Sequence, residues 1–263
     1  MKKSDFLKEV IARKKEKTAL SKQQFPEEVL KERVKSLAPA RDFVGAIQKP
    51  RQISLIAEIK KASPSRGIIR QDFKVQDIAR TYQEAGVQAI AVLTEEDYFQ
   101  GNISYLNEVR GITDLPLLRK DFILEPYQIY ESRFFGADAV LLISEVLTQE
   151  SILEMSQLAA ELGLVSLVEV HSEKELKKVL KLKNVGLIGI NNRDLHTLEV
   201  DSSTTQKLFT LIPKDKVVVV ESGLKSRQDV MFLKILGVSA VLIGEAFMAA
   251  PDIRREIEEI MGW

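Results

Sequence analysis

The chain has 263 residues, of which 45% are hydrophobic and 29% charged, and its 38 Lys+Arg balance 38 Asp+Glu to a formal net charge of zero. That balance argues against nucleic acid or an anionic membrane as a bulk partner, and the lack of cysteine excludes disulfides, thiolate metal sites and cysteine nucleophiles. No N-terminal apolar h-region and no bilayer-length apolar run is present, so a cytoplasmic protein with no membrane partner is expected.

Residues 4–37 read as helices. Ser4 can cap a first one, with Phe6, Leu7, Val10 and Ile11 on one side. Pro26 suits the first turn of a second, followed by Glu27 and Glu28, then Val29, Leu30, Val34 and Leu37. The basic run Arg13–Lys17 reads as a solvated helix face. Pro39 breaks the pattern, and Asp42–Ile47 is expected to form a short helical turn. Residues 1–48 are therefore read as a helical extension and 49–263 as a barrel, together one domain, with no fused second domain expected.

From Ile53 a unit repeats. Apolar strands are predicted at Ile53–Lys60, Gln88–Leu93, Pro116–Lys120, Ala139–Ile143, Leu164–Val170, Gly186–Asn191, Val217–Glu221 and Ala240–Gly244. Helical spacing links them. Val75, Ile78, Ala79, Tyr82 and Ala85 precede Gly86; Tyr127–Phe135 precedes Gly136; Thr148–Leu162 precedes Gly163; Ser226–Leu236 precedes Gly237. Ser172 and Glu175 are spaced as a capping box. Strands this continuously apolar are buried on both sides, as in a parallel sheet. Eight β/α units at this length predict an α/β fold, a (β/α)8 TIM barrel behind an N-terminal helical extension. The alternative is a doubly wound open sheet, which usually has fewer strands and a glycine-rich first turn.

The first strand sets the phase of the site. Ile53, Leu55, Ala57 and Ile59 form one apolar face, while Ser54, Ile56, Glu58 and Lys60 share the other. That second face turns charged at the C-terminal end, where barrel active sites lie. The other strand ends add to it. Ser63 follows the first strand, Lys120 ends the third and Glu169 the fifth. Asn191 and Arg193 end the sixth, Glu221, Ser222 and Gly223 the seventh, and Gly244 and Glu245 the eighth. Each residue alone has an ordinary structural reading. Six of eight strands ending in polar groups at one height is not explained by chance solvation. VVESGL and AVLIGEAFM each run from strand into a glycine turn, where backbone N–H groups favour an anion. Lys60 can reach the same anion if the first strand neighbours the eighth. His171 and His196 follow the fifth and sixth strands, but two histidines without cysteine or an HxxH pattern do not make a metal site, and none is expected.

EIKKASPSRG, LLRKDFI, LVEVH, GINNRDL, ESGL and IGEAFM together resemble the indole-3-glycerol-phosphate synthase family of the tryptophan pathway, over nearly the whole chain. The resemblance implies ring closure of 1-(2-carboxyphenylamino)-1-deoxyribulose 5-phosphate to indole-3-glycerol phosphate, carbon dioxide and water, with no cofactor or metal. On that expectation Lys120 donates a proton to the ketone oxygen. Glu169 and Lys60 share the acid and base work of dehydration, with their assignment open. Glu58 holds the lysines charged, and Asn191 orients hydroxyls. By the same resemblance Ser63 and Arg193 lie near the substrate carboxylate, with Glu221 also among the substrate contacts. Phe122 and Leu142 hold the aromatic ring. Lys60, Ser222, Gly223, Gly244 and Glu245 form the phosphate site. Glu245 departs from the serine of many family members, so its carboxylate must point away from phosphate. The expected partner is this small phosphorylated aromatic substrate. A monomer is expected, because no further apolar stripe stands out. The rival readings are a phosphosugar isomerase or Schiff-base aldolase on the same barrel, and an inactive phosphate-binding barrel. The aromatic-acid pocket disfavours the isomerase, and the stability cost of unused buried charges disfavours the inactive barrel.

Overall fold

Alternation along the first strand divides two cores. Ile53, Leu55, Ala57 and Ile59 pack outward between sheet and helices, while Ile56 packs inside the barrel. The structure, a computed structural model, describes residues 6–263. The expected cap at Ser4 lies outside the described residues.

Three helices come first: α1 (Phe6–Gln24), α2 (Glu27–Val34) and α3 (Phe43–Ile47). After β1 (Ser54–Ile59) the loop folds into a small antiparallel hairpin, β2 (Ala62–Ser63) with β3 (Gly67–Ile68). Then follow α4 (Val75–Glu84), β4 (Ala89–Leu93), α5 (Ser104–Arg110), β5 (Leu117–Lys120), α6 (Tyr127–Phe134), β6 (Ala139–Ile143), α7 (Gln149–Glu161) and β7 (Val165–Val170). The last part holds α8 (Glu173–Val179), β8 (Leu187–Asn191), α9 (Ser203–Phe209), β9 (Val217–Glu221), α10 (Arg227–Leu236), β10 (Ala240–Ile243), α11 (Glu245–Ala249) and α12 (Ile253–Met261). Among the described residues eight parallel strands close in the order β1-β10-β9-β8-β7-β6-β5-β4. This is the TIM barrel, and it places β1 beside β10 as the phosphate reading requires. The hairpin and helices α5, α9 and α12 were not among the elements expected from periodicity.

Two caps differ in detail. Ser172 accepts from the Glu175 N–H at 3.3 Å, but the Glu175 carboxylate accepts from the His171 N–H at 3.0 Å in place of the Ser172 backbone N–H, so the expected capping box is only half made. Ser226 and Asp229 make a complete one at α10.

The extension holds both ends of the barrel. Phe43 and Ile47 of α3 are fully buried in the inner core and pack by the starts of β1 and β4. α1 lies against the loops after β4 and β5 at the opposite rim. Its Phe6 ring meets Tyr98 edge-on at 5.1 Å. Lys14 of α1 is 4% exposed and pairs with Asp121 at 2.8 Å and Glu96 at 3.0 Å. The run Arg13–Lys17 is therefore not simply a solvated face. One of its lysines turns inward because two carboxylates at the strand ends neutralise it. Met231, Phe232 and Ile235 of α10 are exposed, an apolar stripe that the sequence reading did not pick out.

Candidate active site

The ends of β1, β5, β7, β8, β9 and β10 surround a cavity of about 900 Å3. Lys120, at the end of β5, stands at its centre. Its Nζ is 2.7 Å from Glu221 Oε2 and 3.4 Å from Glu169 Oε2. Across the mouth Lys60 pairs with Glu58. Glu58, Glu169 and Glu221 are each 2% exposed or less. Six predicted residues thus do converge, since Asn191 also lines the cavity. Arg193 joins them from the loop after β8.

Two glycines make room for the carboxylates. A Cβ on Gly189 would lie 2.7 Å from Glu221 Oε1, and one on Gly244 would collide with the Glu58 side chain. Gly244 therefore serves the charged cluster as well as the turn before α11. Ser222 and Gly223 are consecutive left-handed residues, with φ of 67° and 81°. Ser222 is not a glycine, and such strain persists where surrounding structure enforces it. Here Asn192 does so. Its Nδ2 donates to the Ser222 carbonyl at 3.1 Å, while its Oδ1 accepts from the Thr205 hydroxyl at 2.8 Å. Asn192, buried beside the expected Asn191, was missed.

The charges set each other's protonation. Burial would push Lys120 towards the neutral amine, but Glu221, Glu169 and Glu58 outweigh it and hold the ammonium above its usual range. Burial would raise Glu169, yet Lys120 and then His171 and Asn191 pull it well below the usual carboxylate range. Glu221 goes the other way. Burial, with Glu169 and Glu58 nearby, raises it despite its short bond to Lys120. Its Oε1 has no hydrogen-bond partner among the described residues, which suits a carboxyl that is readily protonated.

Two expectations need revision. Leu142 is fully buried in the outer core between barrel and helices, so it cannot hold the aromatic ring. Alternation turns Leu141 and Ile143 inward instead, and these line the cavity with Phe122. Ser63 is buried in the hairpin with its hydroxyl 3.3 Å from Ser65 Oγ; Ser65 and Arg66 line the cavity in its place. Glu245 lines the mouth, and its carboxylate is held by Arg66 at 3.0 Å and Arg193 at 3.3 Å. Glu95 is a further buried carboxylate on the cavity wall that the sequence reading missed. It accepts from three loop amides, at Asp97, Tyr98 and Phe99.

The histidines stand apart from the cavity. His171 Nε2 is 3.1 Å from Glu169 Oε1, and its Nδ1 is 3.3 Å from Glu175. His196 Nε2 is 2.7 Å from Glu145.

The model of the family described as indole-3-glycerol phosphate synthase matches residues 7–260. An indole-3-glycerol phosphate synthase of Acetivibrio thermocellus is 48% identical over 256 residues, covering 97% of this chain and 98% of its own. One from Dehalococcoides mccartyi strain CBDB1 is 51% identical over 216 residues, 81% of this chain and 83% of its own. Among solved structures, a 3-hexulose-6-phosphate synthase of Salmonella typhimurium superposes with a TM-score of 0.62 at 14% identity, over 80% of this chain and 97% of the other. A tryptophan synthase complex from Pyrococcus furiosus gives 0.59 at 16% identity, over 80% and 98%. At such identities these two structures speak for the barrel fold alone.

Proposed function

The chain belongs to the indole-3-glycerol phosphate synthase family, and from that premise we propose how its residues divide the work. The reaction is a carboxy-lyase step of tryptophan biosynthesis: 1-(2-carboxyphenylamino)-1-deoxyribulose 5-phosphate closes to indole-3-glycerol phosphate with loss of carbon dioxide and water. The observation that carries the assignment is the Lys120 ammonium, set between Glu221 and Glu169 at the barrel mouth.

As the aryl carbon attacks the ketone, negative charge develops on the ketone oxygen. Lys120 is placed to donate its proton there, and a fixed cation also stabilises that charge. Loss of carbon dioxide then restores the aromatic ring. Dehydration needs a proton donor for the leaving hydroxyl and an acceptor for the ring proton. Glu169, kept ionised by its cationic neighbours, suits the acceptor, which leaves Lys60 as donor from across the mouth. Glu58 holds Lys60, and Asn191 orients hydroxyls. Phe122, Leu141 and Ile143 supply the apolar wall for the aromatic ring. Arg193 receives the substrate carboxylate, and the turns at Ser222–Gly223 and Gly244, with Lys60, receive the phosphate.

Every group named comes from one chain, so a monomer is sufficient; sedimentation at micromolar concentration tests that state. A cytoplasmic setting goes with the same reading, and no helix among the described residues is long and apolar enough to cross a membrane. The deciding experiment mixes the protein with the carboxyphenylamino substrate. Indole fluorescence should rise with turnover, and its absence at any enzyme concentration would remove the assignment.

A further inference from the structure

Glu169 can accept a proton only if it enters the reaction ionised, and its surroundings make that hard. It is buried, and it shares the cavity with Glu58 and Glu221. Lys120 is the nearest cation on the cavity side, but it lies closer to Glu221. A second cation on the far side would add to what Lys120 supplies. Residue 171 is two beyond Glu169 and continues the same face of β7 past its end.

We infer that His171 is a positioning residue for this reaction, an imidazolium clamped among Glu169, Glu175 and Glu145 that holds Glu169 ionised and in place behind the substrate. The inference rests on the reading of Glu169 as the proton acceptor. His171 does not line the cavity, so it acts through Glu169 and not on the substrate.

The geometry defines the clamp. Nε2 meets Glu169 Oε1 at 3.1 Å, as an ion-pair contact that is not aligned for a full hydrogen bond. Nδ1 faces Glu175 at 3.3 Å and Glu145 at 3.8 Å. At 3.1 Å His171 favours the Glu169 carboxylate both through its charge and through the N–H it directs at Oε1. The outer carboxylates are themselves fixed. Glu175 accepts from Ser144 Oγ at 3.1 Å, Ser172 Oγ at 2.6 Å and the His171 N–H at 3.0 Å. Glu145 is held by His196. Lys178 also acts electrostatically on both Glu175 and Glu145, but its Nζ is occupied by the Ser144 and Leu147 carbonyls. On the cavity side Glu169 faces Lys120, Asn191 and Glu221. Burial opposes charge on His171, but Glu169 and Glu175 overcome it and hold the imidazolium up to a pKa of about 10.

Two measurements test the clamp, one of them independent of turnover. The sequence holds two histidines, so a His196→Asn variant leaves one imidazole for 15N nuclear magnetic resonance. His171 should be doubly protonated at pH 8; a neutral ring there overturns the inference. In the pH profile of kcat/KM, His171→Asn should move the acidic limb upward by about one to two pH units, the usual effect of losing one nearby opposite charge. Activity well above that limb should be largely retained. Glu175→Gln should move the limb the same way by less, and serves if the His171 variant fails to fold. A merely structural histidine would lower stability and leave the limb in place. An active parent whose limb does not move in either variant overturns the clamp alone. A parent without synthase activity overturns the proposed catalytic reading, while the resonance measurement still decides whether the imidazolium exists.

Discussion

Lys120 donates to Glu221 Oε2 at 2.7 Å, while the other oxygen of that carboxylate, Oε1, lies against Gly189 with no hydrogen-bond partner among the described residues. The pair is thus an ammonium held by a carboxylate that has capacity left over. This separates the barrel from one that uses a lysine as a Schiff-base nucleophile, which requires the neutral amine. Borohydride added during turnover should leave the protein mass unchanged. A substrate-sized gain mapping to Lys120 would move the chain to the aldolase reading.

Inorganic phosphate should compete with substrate, and Lys60→Ala should weaken that competition. Glu245→Ser should strengthen it, because it frees Arg66 and Arg193 from a carboxylate at the mouth. Both pairs are partly exposed, so the inhibition constant should fall only about threefold, within the usual worth of such pairs. Phosphate inhibition unchanged in both variants would place the anion elsewhere.

Much of the site could be read because polar residues mark the phase of a strand. Glu58, Lys60, Lys120, Glu169, Asn191 and Glu221 each sit at a strand end where alternation from apolar neighbours fixes their direction. Leu142 failed for the converse reason: AVLLI is apolar throughout and carries no phase of its own. His171 was within reach, since the parity of Glu169 continues to it and Glu175 follows four residues on. Lys14 and Asn192 were not, because their partners Asp121 and Thr205 lie on other elements and no local sequence pattern points to them. The hairpin that puts Ser65 and Arg66 at the mouth was also hidden, because its two-residue strands are too short to show alternation.

The extension divides into parts that a truncation can separate. A chain lacking residues 1–38 keeps Arg41, whose guanidinium donates to the Thr113 and Leu115 carbonyls, and keeps Phe43 under the barrel. It should fold, with a higher KM. Its stability should drop, since losing Lys14 alone removes charged hydrogen bonds worth about 1.5–3 kcal/mol each. A chain lacking residues 1–45 also loses Phe43, at a further cost of about 1.5–3 kcal/mol. Thermal melts that coincide for the two truncations would refute this division.

Two buried groups contribute to opposite limbs of stability against pH. Burial would raise the Asp121 carboxyl, but Lys14 and Arg119 hold it down at about 2. A depressed acid stabilises above its unfolded pKa, so this contribution is lost as pH falls from about 4 towards 2. His171, raised to about 10, stabilises fully below its unfolded pKa. That contribution is lost as pH rises from about 6.5 towards 10. Melting temperature should therefore fall on both sides. Lys14→Met should reduce the acid-side dependence and His171→Asn the alkaline-side dependence; unchanged slopes would assign them to other groups.

The most direct measurement is kcat of Lys120→Met, followed by indole fluorescence at saturating substrate. Loss of the proton donor should lower kcat by about 10²–10⁴-fold with KM little changed, the range expected of a general acid. A variant that keeps kcat within about threefold of the parent's would lie far outside that range and would contradict proton donation by Lys120.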